Sequence, residues 1–115
     1  MINEGIKNMI ENNALALATA NKEGKPHVIA VGDVKLISEN QLLVGDNYMK
    51  TTIENIKINP NVSLVVWNKE GGVSLEGIAT YYNSGKYLEE VKRIHKGYPA
   101  KGAILIKINK IKSLI

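Results

Sequence analysis

Runs of apolar residues separated by turn-forming residues recur along the chain, and six of them have the length and pattern of β-strands. The second run places Val28, Ala30, Gly32, Val34 and Leu36 on one parity, and Gly32 predicts a bend within one long curved strand. Bends of this kind let a small sheet curl into a barrel. The six predicted strands cover residues 14–20, 27–37, 41–45, 62–67, 73–82 and 103–108.

Three segments instead carry helical spacing or helix-boundary residues. The first follows Asn3, an N-cap residue type, and ends at Asn12-Asn13. The second covers residues 50–58 and stops before Pro60, and the third is amphipathic and lies between residues 85 and 97. Hairpinned strands with a few short helices favour a mainly β fold, a six-stranded antiparallel β-barrel with helices at its rims, over a βαβ fold.

The composition limits the chemistry that the chain can perform. Its 115 residues show no linker and no internal repeat, which predicts a single domain over residues 1–115. Cysteine is absent, so only His27 and His95 offer groups for neutral-pH proton transfer, and a zinc site or thiol nucleophile is disfavoured. The N-terminus lacks a secretory pattern and no apolar run approaches ~20 residues, so we expect a cytoplasmic protein without a membrane span.

The formal charge of +4 does not have the distribution typical of a nucleic-acid binder. Fourteen of the fifteen basic residues are lysines, scattered from Lys7 to Lys112, and Arg93 is the only arginine. Dedicated nucleic-acid surfaces concentrate basic residues on one face and interleave aromatic ones. This distribution indicates solvated surface lysines and disfavours nucleic acid as a partner.

The sequence Thr51-Thr52-Ile53-Glu54 matches a capping box and predicts a helix that begins at Thr51. Lys50 stands directly before it. Free N–H groups, a threonine hydroxyl and a lysine are the groups that bind a terminal phosphate. The motif alone leaves two interpretations open, a phosphate site or an ordinary helix cap beside a solvated lysine.

Several motifs together resemble one known family. The segments Ala16-Leu17-Ala18-Thr19-Ala20, Asn21 to Val28, Lys50-Thr51, Asn59 to Val66 and Leu75 to Ala79 have counterparts, in the same order, in the FMN-binding split-barrel family related to pyridoxamine 5'-phosphate oxidase. The chain is most similar to the small FMN-binding proteins of that family. The resemblance implies a split β-barrel that binds flavin mononucleotide (FMN) at the interface of a homodimer.

The resemblance also suggests which residues contact the cofactor. Lys50 and Thr51 would hold the phosphate, with the amide or hydroxyl of Thr52 assisting. The strand from Val28 to Val31 would run beside the isoalloxazine ring, although Val28 and Val31 fit barrel core equally well. The cofactor-binding set that follows is Val28, Ile29, Ala30, Val31, Val44, Gly45, Lys50, Thr51, Thr52, Tyr98 and Lys101.

Within that set, Val44 and Gly45 would line the wall below the ring, and the stretch containing Tyr98 and Lys101 would come from the partner subunit. Family members place an aromatic side chain on the flavin near this stretch. Here Tyr98 and the more distant Trp67 are both candidates, and Trp67 fits core or interface packing as well.

The two histidines carry open interpretations. His27 could donate a proton or lie on the surface, whereas His95 fits a favourable contact at a helix C-terminus.

The implied function is a flavoprotein that acts as an FMN-dependent oxidoreductase or electron-transfer protein, with catalytic residues unassigned. The single Arg93 argues against a true pyridoxamine-phosphate oxidase, which must also grip its substrate's phosphate. Two further functions stay open. The same barrel could bind haem, a deazaflavin or no cofactor, or it could bind single-stranded nucleic acid through its lysines.

Overall fold

The computed structural model describes residues 1–95 and 97–114, and these form one antiparallel sheet with three helices. The elements follow the chain in the order α1 (Glu4–Asn12), β1 (Leu15–Ala20), β2 (Pro26–Val31), β3 (Val34–Ser38), β4 (Gln41–Asp46), α2 (Thr51–Ile58), β5 (Asn61–Asn68), β6 (Gly71–Tyr82), α3 (Lys86–Ile94) and β7 (Gly102–Ser113).

The sheet curls because its two edge strands are consecutive in the chain. The strand order is β2-β1-β5-β6-β7-β4-β3, so β2 and β3 lie at opposite edges. Only Gly32 and Asp33 separate Val31 from Val34, and two residues cannot span a flat seven-stranded sheet. The edges therefore approach each other at this link, which gives the split barrel that the sequence predicts.

The barrel interior holds the main hydrophobic core. Its centre consists of fully buried aliphatic side chains from five of the strands, namely Leu17, Leu42, Leu64, Leu75, Ile104 and Ile106. Helix α1 adds Ile10 to this core, and the Asn3 side chain caps the helix by accepting the Ile6 N–H at 2.9 Å, as predicted. A smaller cluster of Leu43, Val91 and Ala103 packs α3 on the outside of the sheet.

The long strand predicted over residues 27–37 is wrong, and the sheet has seven strands instead of six. Val31 and Val34 are both buried, three residues apart, so the link at Gly32-Asp33 shifts the alternation by one position. Consequently Val28 is 63% exposed instead of sharing a buried face with Val34. Backbone bonding supports the break, because the Asp33 carbonyl accepts the Gly45 N–H at 3.1 Å.

Strand β7 is longer than the predicted 103–108 segment and pairs with β6 from Val73 to Tyr82. A register shift lies between Glu76 and Gly77, where the pairing passes from Lys110 to Ile108. A Cβ on Gly77 would overlap the carbonyl of Lys107, so the two backbones approach closely only because this residue is glycine. Within residues 1–95 and 97–114, no helix is long and apolar enough to span a membrane.

Candidate cofactor-binding site

An open cleft of about 580 Å³ lies along β2, between the β2–β3 link and the start of α2. This volume is within the range of roughly 300–1,000 Å³ that is usual for cofactor sites. The loop between β4 and α2 forms one wall, and Tyr98 stands at the rim. Eight of the residues predicted from the sequence line the cleft, namely Ile29, Ala30, Val31, Gly45, Lys50, Thr51, Thr52 and Tyr98.

The N-terminus of α2 opens into this cleft without a side-chain cap. Lys50 occupies the N-cap position and makes no capping hydrogen bond, so the predicted capping box at Thr51 and Glu54 is wrong. The first intrahelical bond runs from the Glu54 N–H to the Lys50 carbonyl at 3.0 Å. The three preceding N–H groups therefore have no intrahelical acceptor, and the positive end of the helix dipole faces the cleft beside Lys50.

The loop before α2 is anchored by the side chain of Asp46, the last residue of β4. Its carboxylate is fully buried and accepts two hydrogen bonds at 2.8 Å, from the Met49 N–H and from the Tyr81 hydroxyl. Burial, followed by the hydrogen bond and the negative charge of Asp46, raises the pKa of Tyr81 from 10.0 to about 12. Tyr81 therefore remains a hydrogen-bond donor at every physiological pH.

The opposite end of the cleft carries a carboxylate with polar neighbours. Asp33 accepts a hydrogen bond from Asn47 Nδ2 at 3.3 Å, and His95 Nδ1 lies 3.4 Å from its other oxygen. His95 follows the end of α3, as predicted, and contacts the Tyr98 ring edge-on with centroids 6.4 Å apart. The Asn47 Oδ1 atom is buried and lacks a hydrogen-bond partner among the described residues.

The remaining predicted residues lie off the cleft lining. Val28 points away from the cleft and is exposed, whereas Val44 is fully buried in the core below the wall. Lys101 lies next to the site, because its Nζ donates to the Met49 carbonyl at 2.8 Å. Trp67 is 54% exposed on β5 and does not reach the lining. His27 does line the cleft, near its α2 end.

Sequence reasoning missed several residues of the lining, chiefly Asp33, Asn47, Tyr48 and Met49. The apolar pattern places Asp33 inside one long strand. It does not show that Asp33 lies in a link between two strands, bonded to Gly45 and Asn47. The polar pair Asp46-Asn47 between a strand and the next helix was a usable signal, because such loops position binding groups on a rigid scaffold.

The curled antiparallel sheet, with a cleft between an edge strand and a helix N-terminus, is the architecture of split-barrel proteins. The chain belongs to the pyridoxamine 5'-phosphate oxidase family, whose model matches residues 2–114. The family prediction made from the sequence is thus confirmed.

One curated protein and one crystal structure are similar to nearly the whole chain. The uncharacterised protein MJ0282 of Methanocaldococcus jannaschii is 34% identical in an alignment 120 residues long, which covers 98% of this chain and 80% of that protein. The crystal structure of HupZ from Group A Streptococcus has a TM-score of 0.93 at 24% identity and covers 99% of this chain and 94% of HupZ.

Two further structures share the fold at lower identity. An FMN-binding protein from Syntrophomonas wolfei has a TM-score of 0.83 at 16% identity and covers 95% of this chain and 83% of that one. A structure called F420 reductase has a TM-score of 0.74 at 18% identity and covers 96% of this chain and 98% of that one.

Proposed function

We propose that this protein binds FMN non-covalently in the cleft along β2 and acts as an FMN-dependent oxidoreductase or electron-transfer protein. The uncapped N-terminus of α2, which opens into the cleft beside Lys50, carries the proposal. Backbone N–H groups, the helix dipole and an adjacent ammonium group together favour a phosphate monoester. The FMN-binding protein of Syntrophomonas wolfei, which shares the fold, lends support.

The residues around the cleft fit the remaining parts of FMN. Among residues 1–95 and 97–114, strand β2 pairs with β1 alone, so the N–H and C=O groups along its other edge can meet the polar edge of the isoalloxazine. The buried Asn47 Oδ1 needs a donor, and a ribityl hydroxyl or the ring N–H would supply one. Lys50 and Thr51 would contact the phosphate, and Ile29 to Val31 would lie beside the ring.

Bound FMN would supply hydride or single-electron transfer, and the chain would position the flavin and restrict its access to water. A second subunit is part of this proposal. Tyr48 and Tyr98 line the cleft yet are 82% and 58% exposed, so the wall on their side is incomplete in one chain. A homodimer would cover these rings, and Tyr98 would then be placed against the flavin of one subunit or the other.

The most direct test is the absorbance spectrum of the purified protein. We expect a yellow protein whose visible bands are bleached by dithionite and which releases FMN on denaturation. Protein that is purified without colour should quench the fluorescence of added FMN. A colourless protein that leaves FMN fluorescence unchanged would contradict the proposal.

Lys50→Ala tests the phosphate assignment. We expect the dissociation constant of FMN to rise about tenfold, because a charge-assisted contact to the phosphate is lost. Riboflavin lacks the phosphate, so its affinity should change less than twofold. Fluorescence titration measures both. Lys69→Ala, a substitution in the turn between β5 and β6, removes the same charge away from the cleft lining and is the matched control. Equal losses for FMN and riboflavin would exclude a phosphate contact at Lys50.

A deazaflavin is the second candidate cofactor, and the structural likeness to an F420 reductase favours it over haem. The same cleft and helix N-terminus would accept its ring and phosphate. Titration with F420 in place of FMN distinguishes the two. Tighter binding of F420 would reassign the cofactor while leaving the site unchanged.

A further inference from the structure

We propose that the buried carboxylate of Asp46 and the half-buried Tyr81 form a positioning pair that sets the N-terminus of α2 for phosphate. The inference rests on the proposed FMN function and extends it to two residues that do not line the cleft. Neither side chain would touch the cofactor. Their effect would reach the phosphate through the backbone of the loop between β4 and α2.

Two short hydrogen bonds to one carboxylate connect this loop to Tyr81 on β6. Asp46 Oδ1 accepts the Met49 N–H, and Asp46 Oδ2 accepts the Tyr81 hydroxyl, both at 2.8 Å. Met49 is bonded directly to Lys50, the residue at the N-cap of α2. The carboxylate therefore constrains the peptide that enters the helix, one residue before the groups assigned to the phosphate.

A second set of bonds holds the same loop from the start of β7. The Lys101 N–H donates to the Asp46 carbonyl at 2.9 Å, and Lys101 Nζ donates to the Met49 carbonyl at 2.8 Å. Gly102 makes room for the pair, because a Cβ at this position would overlap the Tyr81 hydroxyl. The loop is thus held by its N–H and C=O groups together, which leaves little freedom for rotation of the Met49 backbone.

The burial of Asp46 indicates that this arrangement has a purpose beyond packing. Its side chain is completely buried. No lysine, arginine or histidine nitrogen of the described residues forms an ion pair with it. A buried carboxylate without a cation is costly, and apolar residues of similar size would fill the space at lower cost. Holding an anion-binding helix end in one geometry is a function that apolar residues cannot perform.

The proposal predicts an effect confined to the phosphate end of the cofactor. The backbone edge of β2, assigned to the flavin ring, lies in a different strand and is not bonded to either residue. Loss of the pair should loosen the loop and the first turn of α2 while the ring contacts persist. FMN and riboflavin share the ring and differ in the phosphate, so their affinity ratio isolates this effect.

The test substitution is Tyr81→Phe, which removes one hydroxyl and leaves the ring in place. We expect the preference for FMN over riboflavin to fall about fivefold or more, with riboflavin binding changed less than twofold. Tyr82→Phe is the matched control, because this neighbour packs its ring against Tyr87 at 5.0 Å on the other side of the sheet. That substitution should leave the preference unchanged.

Asp46→Asn separates geometry from charge. The amide oxygen can still accept from Met49, and the amide nitrogen can donate to the Tyr81 oxygen, so the preference for FMN should stay equal to that of the original protein or rise. Amide hydrogen exchange adds an independent measurement. The Met49 N–H should be protected in the original protein and should exchange at least tenfold faster in Tyr81→Phe, while amides of β7 stay protected.

The outcomes distinguish this inference from the proposed function. An original protein that binds FMN no better than riboflavin would overturn both. A clear preference for FMN that survives Tyr81→Phe unchanged would overturn the positioning pair alone. Equal weakening of FMN and riboflavin in Tyr81→Phe would also overturn it, because the residue would then act only on overall structure.

Discussion

At the scale of single residues, Asp46 connects the core to the cleft. It terminates β4, is fully buried, and joins the loop before α2 to Tyr81 on β6. Lys57, from the last turn of α2, lies 5.5 Å above the Tyr81 ring, so Tyr81 contacts the helix as well as Asp46 at the end of β4. Tyr81 on β6 thus links the sheet to α2 through two contacts, one with Asp46 and one with Lys57.

The raised pKa of Tyr81 gives a pH-dependent contribution to stability. Burial, followed by the hydrogen bond and charge of Asp46, disfavours the tyrosinate and raises the pKa of its hydroxyl from 10.0 to about 12 in the fold. The stabilisation is complete below about pH 10 and is lost as the pH rises through about 12. We expect the melting temperature to fall more steeply over this interval in the original protein than in Tyr81→Phe. Parallel pH dependences in the two proteins would contradict the assignment.

The start of α2 could be read from local residue types, whereas the placement of Lys50, Thr51 and Thr52 at the site came from the family resemblance. The sequence did not predict Asp46, because the partner that explains its burial lies 35 residues away on β6. The predicted start of the helix at Thr51 is confirmed. The capping box is wrong, because Thr51 is the first helical residue and Lys50 occupies the N-cap position without a side-chain cap.

At the scale of elements, the docking of α2 on the sheet determines where its N-terminus points. The inner face of the helix buries Ile53 and Ile56 against the core. One buried polar contact fixes its rotation, a hydrogen bond of 3.0 Å from Asn55 Nδ2 to Thr19 Oγ1 on β1. Apolar contacts alone would tolerate small rotations of the helix, whereas this bond specifies one.

Thr19→Val tests that contact with almost no change in volume. The substitution leaves the buried Asn55 amide without its acceptor, and we expect unfolding free energy to fall by about 1–3 kcal/mol in urea denaturation. Thr80→Val, on an exposed position of β6, is the control and should change stability by less than about 0.5 kcal/mol. A loss in the control equal to that in Thr19→Val would indicate a general strand effect.

Most element types were predictable from the sequence, because strand alternation, turn residues and helix ends are local signals. The exception is instructive. Residues 27–37 read as one strand, yet the chain breaks at Gly32-Asp33, where the Asp33 backbone and side chain bond to the β4 end of the barrel. The break is imposed by closure of the sheet. Closure depends on all seven strands, so it cannot be read from residues 27–37 alone.

At the scale of the whole molecule, the cleft is open on the side where Tyr48 and Tyr98 are exposed. Val28 adds a further exposed apolar side chain on β2, the strand assigned to the flavin ring. These positions agree with a site that a second copy completes. The family resemblance implied that a partner subunit contributes to the site. The residue pattern of one chain does not show which surfaces of the two subunits would be in contact.

Completion of the site by a partner would couple flavin binding to assembly. We expect sedimentation to give a particle of twice the chain mass of 12.6 kDa and FMN to shift any monomer toward that species. Analytical ultracentrifugation across a dilution series, with and without FMN, measures both effects. A monomer that binds FMN with an affinity independent of protein concentration would rule out the shared site.

A crystal structure of the protein with FMN would show whether the open N-terminus of α2 binds the phosphate. We expect the phosphate within hydrogen-bonding distance of the Thr51 and Thr52 N–H groups and beside Lys50, with the ring along β2. A phosphate located elsewhere, with the first turn of α2 facing water, would contradict the phosphate assignment.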